Sequence, residues 1–451
     1  MAHIKISYIG AGSTIFSLSL IKSLCKTPSL AGSTVSFMDI DRARLDSIHL
    51  ICGRYAAQKG ARLVLEKTVD RRESLEGADF VVTTALAAGY SRLQAGWEIA
   101  RKYGFRFPGS FAVLHDEAFW INFYQLKLFE SITEDIAELC PNAWHLLVAN
   151  PVLAGVTHLS RKYPGSRLIG VCHGYTGIYE VANILGLDRK RLEFEIPGVN
   201  HFVWLNRFAH EGKNAFPILD RWIDEKAEGF WRTKKIPGRS ALSPKAVDLY
   251  RQHGVLPIGD TTQWGGGSWP WWYHSDDAAQ ARWGETDPQD AWDSYFAGAA
   301  AFTGKIGGAA GGDEAQLADV MEKVHEESIV DMIESIACDV PRRLIVNVAN
   351  KNDYMPGVPR DFEVEVPAII SAQGVQPIVT APLPRSIIAH TLRDRVAPTE
   401  MELYAYSRGS RKLLVELILM DRWVQSEDAA RAFVDEILAM DQHEALRRHY
   451  Q

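Results

Sequence analysis

Cysteine is scarce in this chain. Cys25, Cys52, Cys140, Cys172 and Cys338 are the five in 451 residues. An odd number at wide spacing excludes a disulfide framework and points to a reducing, cytoplasmic setting. No uncharged apolar run reaches the ~18 residues of a membrane span. Met1-Ala-His-Ile-Lys-Ile runs straight into a strand pattern, without the basic and apolar regions of a secretory signal. Positive charge is not in excess: 49 Lys and Arg stand against 56 Asp and Glu, a net charge of −7. A broad basic surface for nucleic acid is therefore not expected. Internal repeats and low-complexity tracts are absent too. What remains is an ordinary globular balance, 47% hydrophobic and 23% charged. At ~150 residues per domain, two or three domains with a sizeable core are expected.

Short apolar runs alternate with helical patterns in the first half. Strands are expected at residues 4–9, Thr34–Met38, Phe80–Thr84, Ala143–Ala149 and Arg167–Val171, with a helix from Ile15 to about Cys25. Such alternation implies right-handed βαβ units and a mostly parallel sheet over residues 1–195. From 196 to 451 the pattern becomes mixed α/β. Strands are expected at Phe202–Phe208, Arg342–Val348 and Phe362–Val366, the last alternating as a half-buried strand does. Glu400–Tyr450 reads as helical, and Gly304–Gly312 as a loop.

Gly10-Ala-Gly12-Ser13 lies between the first strand and the first helix. Glycines there let a pyrophosphate approach a helix N-terminus. Asp39 ends the second strand, where a carboxylate accepts from ribose hydroxyls and favours NAD over NADP. The third glycine of the usual fingerprint is missing, since Ile15 holds that place. These features predict a Rossmann-type doubly wound sheet that binds NAD, followed by a C-terminal mixed α/β domain rich in helices. Thr84, ending its own strand, is grouped with the cofactor residues. Cys172 and His173 follow a strand directly, at the sheet end where ligands bind. His201 stands further on, in Gly198-Val-Asn-His201. Thiolate and imidazole suit a borderline transition metal. On spacing alone, a buried thiol beside a satisfied histidine is the better reading.

The chain resembles glycoside hydrolase family 4, the NAD- and metal-dependent glycosidases that depart from two-carboxylate hydrolysis. The resemblance rests on Ile9-Gly-Ala-Gly-Ser13, Met38-Asp39-Ile-Asp41, Gly77-Ala-Asp-Phe80, Ala149-Asn150-Pro151, Gly170-Val-Cys172-His173-Gly174, Gly198-Val-Asn200-His201, Pro257-Ile-Gly-Asp260 and Asn347-Val-Ala-Asn350. Cys172-His173-Gly174 is similar to the α-glucuronidase branch. A related group, the NAD-dependent sulfoquinovosidases, acts on a sugar with a sulfonate at C6. The shared implication is a small-molecule α-glycoside with a C6 anion.

The resemblance implies transient oxidation at C3, deprotonation at C2 with loss of the aglycone, and water addition. It also implies Mn²⁺ or another divalent metal on Cys172 and His201, and a homodimer or homotetramer. Asp260 matches the position of the base in α-glucosidase-like members; Tyr250 keeps open the tyrosine base of others. His173 matches the leaving-group acid, and its type titrates near neutrality. Asn150 is expected to contact sugar hydroxyls, and Trp264 to stack on the sugar within the cluster Trp264, Trp269, Trp271 and Trp272. A subunit contact explains that cluster as well. Arg92 or Arg106 is the expected anion partner, unless both belong to a solvated helix face. Neutral or 6-phosphorylated α-glycosides, and a plain NAD-dependent dehydrogenase, are the alternative readings.

Overall fold

The computed structural model describes residues 2–451 except 106–117, 263–268, 286–292, 295–296, 299–300, 302–303, 305–311, 313, 323 and 325–327. Trp264, Arg106 and nearly all of the expected 304–312 loop lie outside the described residues.

The first half contributes β1 (Lys5–Ile9), β2 (Thr34–Met38), β3 (Val64–Thr68), β4 (Phe80–Thr83), β5 (Trp144–Leu147) and β6 (Leu168–Gly170). They pair in parallel. Their spatial order is β3-β2-β1-β4-β5-β6, that of two mononucleotide-binding halves back to back. Helix α1 (Thr14–Leu24) follows β1 and buries Leu18, Leu20, Ile21 and Leu24. Helix α2 (Arg42–Gln58) is capped by Asp41, whose side chain accepts from the Ala43 and Arg44 N–H groups. The sequence pattern omitted β3. That strand is a mostly exposed edge carrying Glu66 and Lys67, so it has no apolar run to betray it.

The second half supplies β7 (Leu192–Glu195), β8 (Gly198–Val199), β9 (Phe202–Leu205), β10 (Arg207–His210), β11 (Lys213–Asn214), β12 (Leu256–Ile258), β13 (Arg342–Ala349), β14 (Glu363–Ser371) and β15 (Gly374–Pro377). Strands β7, β10 and β11 form a small antiparallel sheet. The others extend the large sheet beyond β6 in the order β13-β14-β8-β9-β12, with β15 on β14. One sheet therefore runs through both halves of the chain.

Two expectations are corrected. Phe202–Phe208 is not one strand. Val203 pairs with Ile258 in the large sheet, whereas Phe208 pairs with Phe194 in the small one, so the chain changes sheets at Asn206. Nor is the alternation at Phe362–Val366 that of a half-buried strand. Strand β14 is central, and Glu363, Val364, Glu365 and Val366 are all fully buried. Helices Val152–Lys162 and Ile329–Cys338 both pack on it.

The C-terminal stretch is helical as expected, in helices Ala397–Arg408, Arg411–Leu419, Glu427–Ala439 and Glu444–His449. They bury Leu414, Phe433 and Ile437 against Phe119, Trp120 and Phe123 of the helix Phe119–Leu139. A phenylalanine such as Phe433 contributes about 2–3 kcal/mol there. Among the described residues no helix is long and apolar enough to cross a membrane.

Candidate cofactor and metal site

The turn after β1 needs its glycines. Gly10 has φ +94°, and a Cβ on it would lie 2.4 Å from the Ala85 nitrogen. Thr84, buried at the end of β4, donates through Oγ1 to the Gly10 carbonyl at 3.0 Å. The Ser13 N–H closes the turn onto the Gly10 carbonyl at 2.9 Å, while its side chain makes no capping bond to α1. The first turn of α1 is thus left to an external acceptor such as a phosphate. Asp39 stands beside it. Its Oδ2 accepts from the Gly12 N–H at 2.6 Å and its Oδ1 from the Asp41 N–H at 2.8 Å. A carboxylate held this way keeps lone pairs for ribose hydroxyls.

At the carboxyl end of β6, Cys172, His201 and Asp260 converge. One donor atom from each lies within 4.8 Å of the others. His201 Nε2 is 3.6 Å from Asp260 Oδ2. Each arrives by a different local device. Cys172 follows β6 directly. His201 sits in the two-residue turn between β8 and β9, in the left-handed region at φ 59°; histidine enters that region more readily than most residues. Asp260 follows β12, where the backbone comes very close to the cysteine loop. Gly259 has φ +55°, and a Cβ there would lie 2.1 Å from the Gly174 carbonyl oxygen. The next residue, Thr261, pins the turn to β9. Its Oγ1 accepts from the Val203 N–H at 2.8 Å and donates to the Val203 carbonyl at 2.9 Å.

Burial, with Glu365 and Asp260 close by, holds the Cys172 thiol well above its ordinary range. The Gly174 N–H, 3.4 Å from Sγ, and the Asn200 side chain work the other way. The chemistry of this set fits a divalent transition ion: the Cys172 sulfur and the His201 imidazole are suitable ligands, with the Asp260 carboxylate beside them.

Sequence reasoning missed the layer beneath. Asn200 donates from its backbone N–H to Glu363 Oε2 at 3.0 Å and from Nδ2 to Glu365 Oε2 at 3.4 Å. The Asn347 amide nitrogen, turned to donate, reaches Glu363 Oε1 at 2.8 Å and Glu365 Oε2 at 3.1 Å. Burial pushes the Glu365 carboxyl up to about 8, and Asp260 adds to the rise. The available signal was the pair of acids inside a long apolar strand, a costly placement unless something uses it.

The remaining candidates divide. His173 is exposed and lies 6.4 Å, ring to ring, from Phe16 in the first turn of α1. Asn150 is half-buried three residues past β5, and its Oδ1 accepts from the Val152 N–H at 3.3 Å. Tyr250 turns elsewhere. Its hydroxyl donates to Asp220 at 2.8 Å, and burial together with that carboxylate pushes its pKa up. Arg92 is taken up by the face of Tyr124, 4.6 Å from the ring centre. Trp269 is a core residue, edge-on to Phe202 and Trp204, with its indole N–H on Asp394 at 2.8 Å. Arg395, which the sequence reading did not single out, is buried with its guanidinium over Phe202, next in the chain to His201.

Fold and site together define an α/β protein that brings a helix N-terminus and three metal-type donors to one end of a sheet. This chain belongs to glycosyl hydrolase family 4. It matches "Family 4 glycosyl hydrolase" over residues 5–187 and "Family 4 glycosyl hydrolase C-terminal domain" over 196–424. An α-glucosidase of Erwinia rhapontici is 25% identical over 97% of this chain and 98% of its own. An α-galacturonidase of Lachnoclostridium phytofermentans is 23% identical over 87% and 85%. The fold is shared with a 6-phospho-α-glucosidase from gut microorganisms solved in complex with NAD and Mn²⁺, at TM-score 0.75, 17% identity and 99% coverage of each chain.

Proposed function

We propose that this chain is an NAD- and divalent-metal-dependent glycosidase for α-glycosides of a sugar with an anion at C6, a uronate or a sulfonate. The observation that carries the proposal is the Cys172–His201–Asp260 cluster at the same end of the parallel strands as the glycine loop, with the His173 ring 6.4 Å from Phe16 of α1. Membership of family 4 supports glycosidase activity. The Cys172-His173-Gly174 form and the α-galacturonidase relatives support a C6 acid. When bound, NAD supplies a recyclable hydride acceptor and Mn²⁺ supplies Lewis acidity to sugar oxygens.

The chain's own residues do the rest. Gly10, Gly12 and Ser13 seat the pyrophosphate, with Thr84 bracing the loop, and Asp39 holds the adenosine ribose. Cys172 and His201 ligate the metal. Asp260, more open than His201, would take the sugar proton, since Tyr250 is engaged by Asp220. His173 protonates the leaving oxygen, and Asn150 holds sugar hydroxyls. Arg395 takes the anion contact in place of Arg92. Residues 1–195 form the NAD-binding domain and 196–451 the substrate and oligomerisation domain, so the metal draws ligands from both. We assign the protein to the cytoplasm as a homodimer or homotetramer. Its five unpaired cysteines suit a reducing compartment.

The test incubates reduced protein, NAD⁺ and Mn²⁺ with a chromogenic α-glucuronide and an α-sulfoquinovoside. Release that requires NAD⁺ and leaves no net NADH supports the proposal. Cleavage of neither substrate moves the reading to neutral sugars, which the full-length match to an α-glucosidase supports. Net NADH accumulation replaces it with a plain dehydrogenase.

A further inference from the structure

Glu365 has no task in the chemistry above, yet it is an acid in the interior of the sheet. It is fully buried as the third residue of β14. Its Oε2 takes the Asn200 and Asn347 amides, and its Oε1 has no hydrogen-bond partner among the described residues. Nor does any described lysine or arginine come within ion-pair distance of it. Asn200 is the link forward: its side chain touches both Cys172 and Glu365. A thiol and the carboxylates of Asp260 and Glu365 thus share one interior region, with the His201 imidazole among them. Ionising groups packed this way costs several kcal/mol per ion unless a cation relieves it. For folding alone, a glutamine would do better.

We propose that Glu365 is a positioning residue of the metal centre, whose buried carboxyl holds the Asn200 bridge to Cys172 and gives up its proton when a divalent cation binds, raising affinity for that cation. The inference rests on the metal reading of the Cys172–His201–Asp260 cluster. Partners behind the ligands orient them and add charge that bulk solvent does not screen, and their loss costs ~10–100-fold in metal affinity. Asn200 is held from both ends, by Glu363 at its backbone and Glu365 at its amide. A change at residue 365 therefore reaches the thiol and the neighbouring His201 together.

The experiment measures Mn²⁺ binding by electron paramagnetic resonance on the full-length, NAD-loaded protein. It compares wild type, Glu365→Gln and Glu365→Asp. Glu365→Gln is expected to bind Mn²⁺ ~10–100-fold more weakly. Glu365→Asp, which keeps the charge, is expected to lie nearer wild type. Without metal, Glu365→Gln is expected to melt at or above wild type near neutral pH, because the folded protein no longer has to hold a proton that the unfolded chain has lost. A wild type that binds Mn²⁺ with Glu365→Gln equal to it within about twofold overturns this inference alone. Equal weakening in both variants, with lowered metal-free melting, also overturns it and makes the role one of packing. A wild type that takes up no Mn²⁺ overturns the metal reading itself.

Discussion

Glu402→Gln is expected to stabilise the protein by an amount that grows with pH. Glu402 is buried on the helix Ala397–Arg408, and its Oε1 accepts from Asn122 Nδ2 at 2.9 Å. Burial pushes its carboxyl from 4.5 up to about 8. Between those values the folded protein keeps a proton that the unfolded chain has lost. The unfolded state then binds fewer protons, so stability falls as pH rises through the window. The slope is about 1.4 kcal/mol per pH unit, which accumulates to roughly 3 kcal/mol between pH 4.5 and 7. Below pH 4.5 both states are protonated and the effect disappears. Above pH 8 it has reached its full size. Glutamine has the same shape, keeps the accepting oxygen for Asn122 and does not titrate. Glu365 carries a similar burden, but it is present in both proteins and cancels in the comparison. Thermal melts of wild type and variant at pH 5, 6, 7 and 8 read the effect directly. The gap in melting midpoint should widen steadily with pH. A constant gap, or a variant less stable than wild type at pH 8, would refute the reasoning.

Three further outcomes concern the site. Gly10→Ala puts a Cβ 2.4 Å from the Ala85 nitrogen at a φ of +94°; NAD affinity by fluorescence titration should fall more than about tenfold, with Mn²⁺ binding retained. Asp39→Asn removes the charge held by the Gly12 and Asp41 N–H groups. Its preference for NAD over NADP, taken as a ratio of dissociation constants, should shrink by about tenfold, and an unchanged ratio would place the ribose elsewhere. Asp260→Asn should lower kcat by at least ~100-fold, as loss of a general base does, while Tyr250→Phe stays within about threefold because it loses only a bond to exposed Asp220. The opposite ranking would return the base to Tyr250.

The predictable parts of this protein were those whose signals are local. A glycine turn between strand and helix is specified by its own few residues, so the loop at Gly10 and Gly12 was legible, as were the strands that run apolar from end to end. Helix periodicity from Glu400 onward was equally self-contained. Pairing is a different matter. β3 is a strand because β2 lies beside it, not because its own side chains are apolar. The apolar run at Phe202–Phe208 contains no mark of the switch between sheets at Asn206. The alternation at Glu363 and Glu365 reads as one wet face until β13 and β8 are seen on either side of β14 and helices above and below it. Alternation records which residues share a face; only packing says whether that face meets water.

The site shows the same division. Cys172, His201 and Asp260 were named one at a time, from motifs far apart in the chain. Their meeting within 4.8 Å depends on three strand ends in register and on two glycine backbones, Gly174 and Gly259, in direct contact. Side chains that compete for one charge or one ring were beyond reach of the sequence. Arg92 was drawn to Tyr124, Trp269 into the core and Tyr250 to Asp220, while Arg395 came in over Phe202. Residue types and their local turns set what chemistry was available to this chain. Tertiary structure decided which of those groups face one another, because donor distances and burial depend on strand order rather than on spacing along the chain.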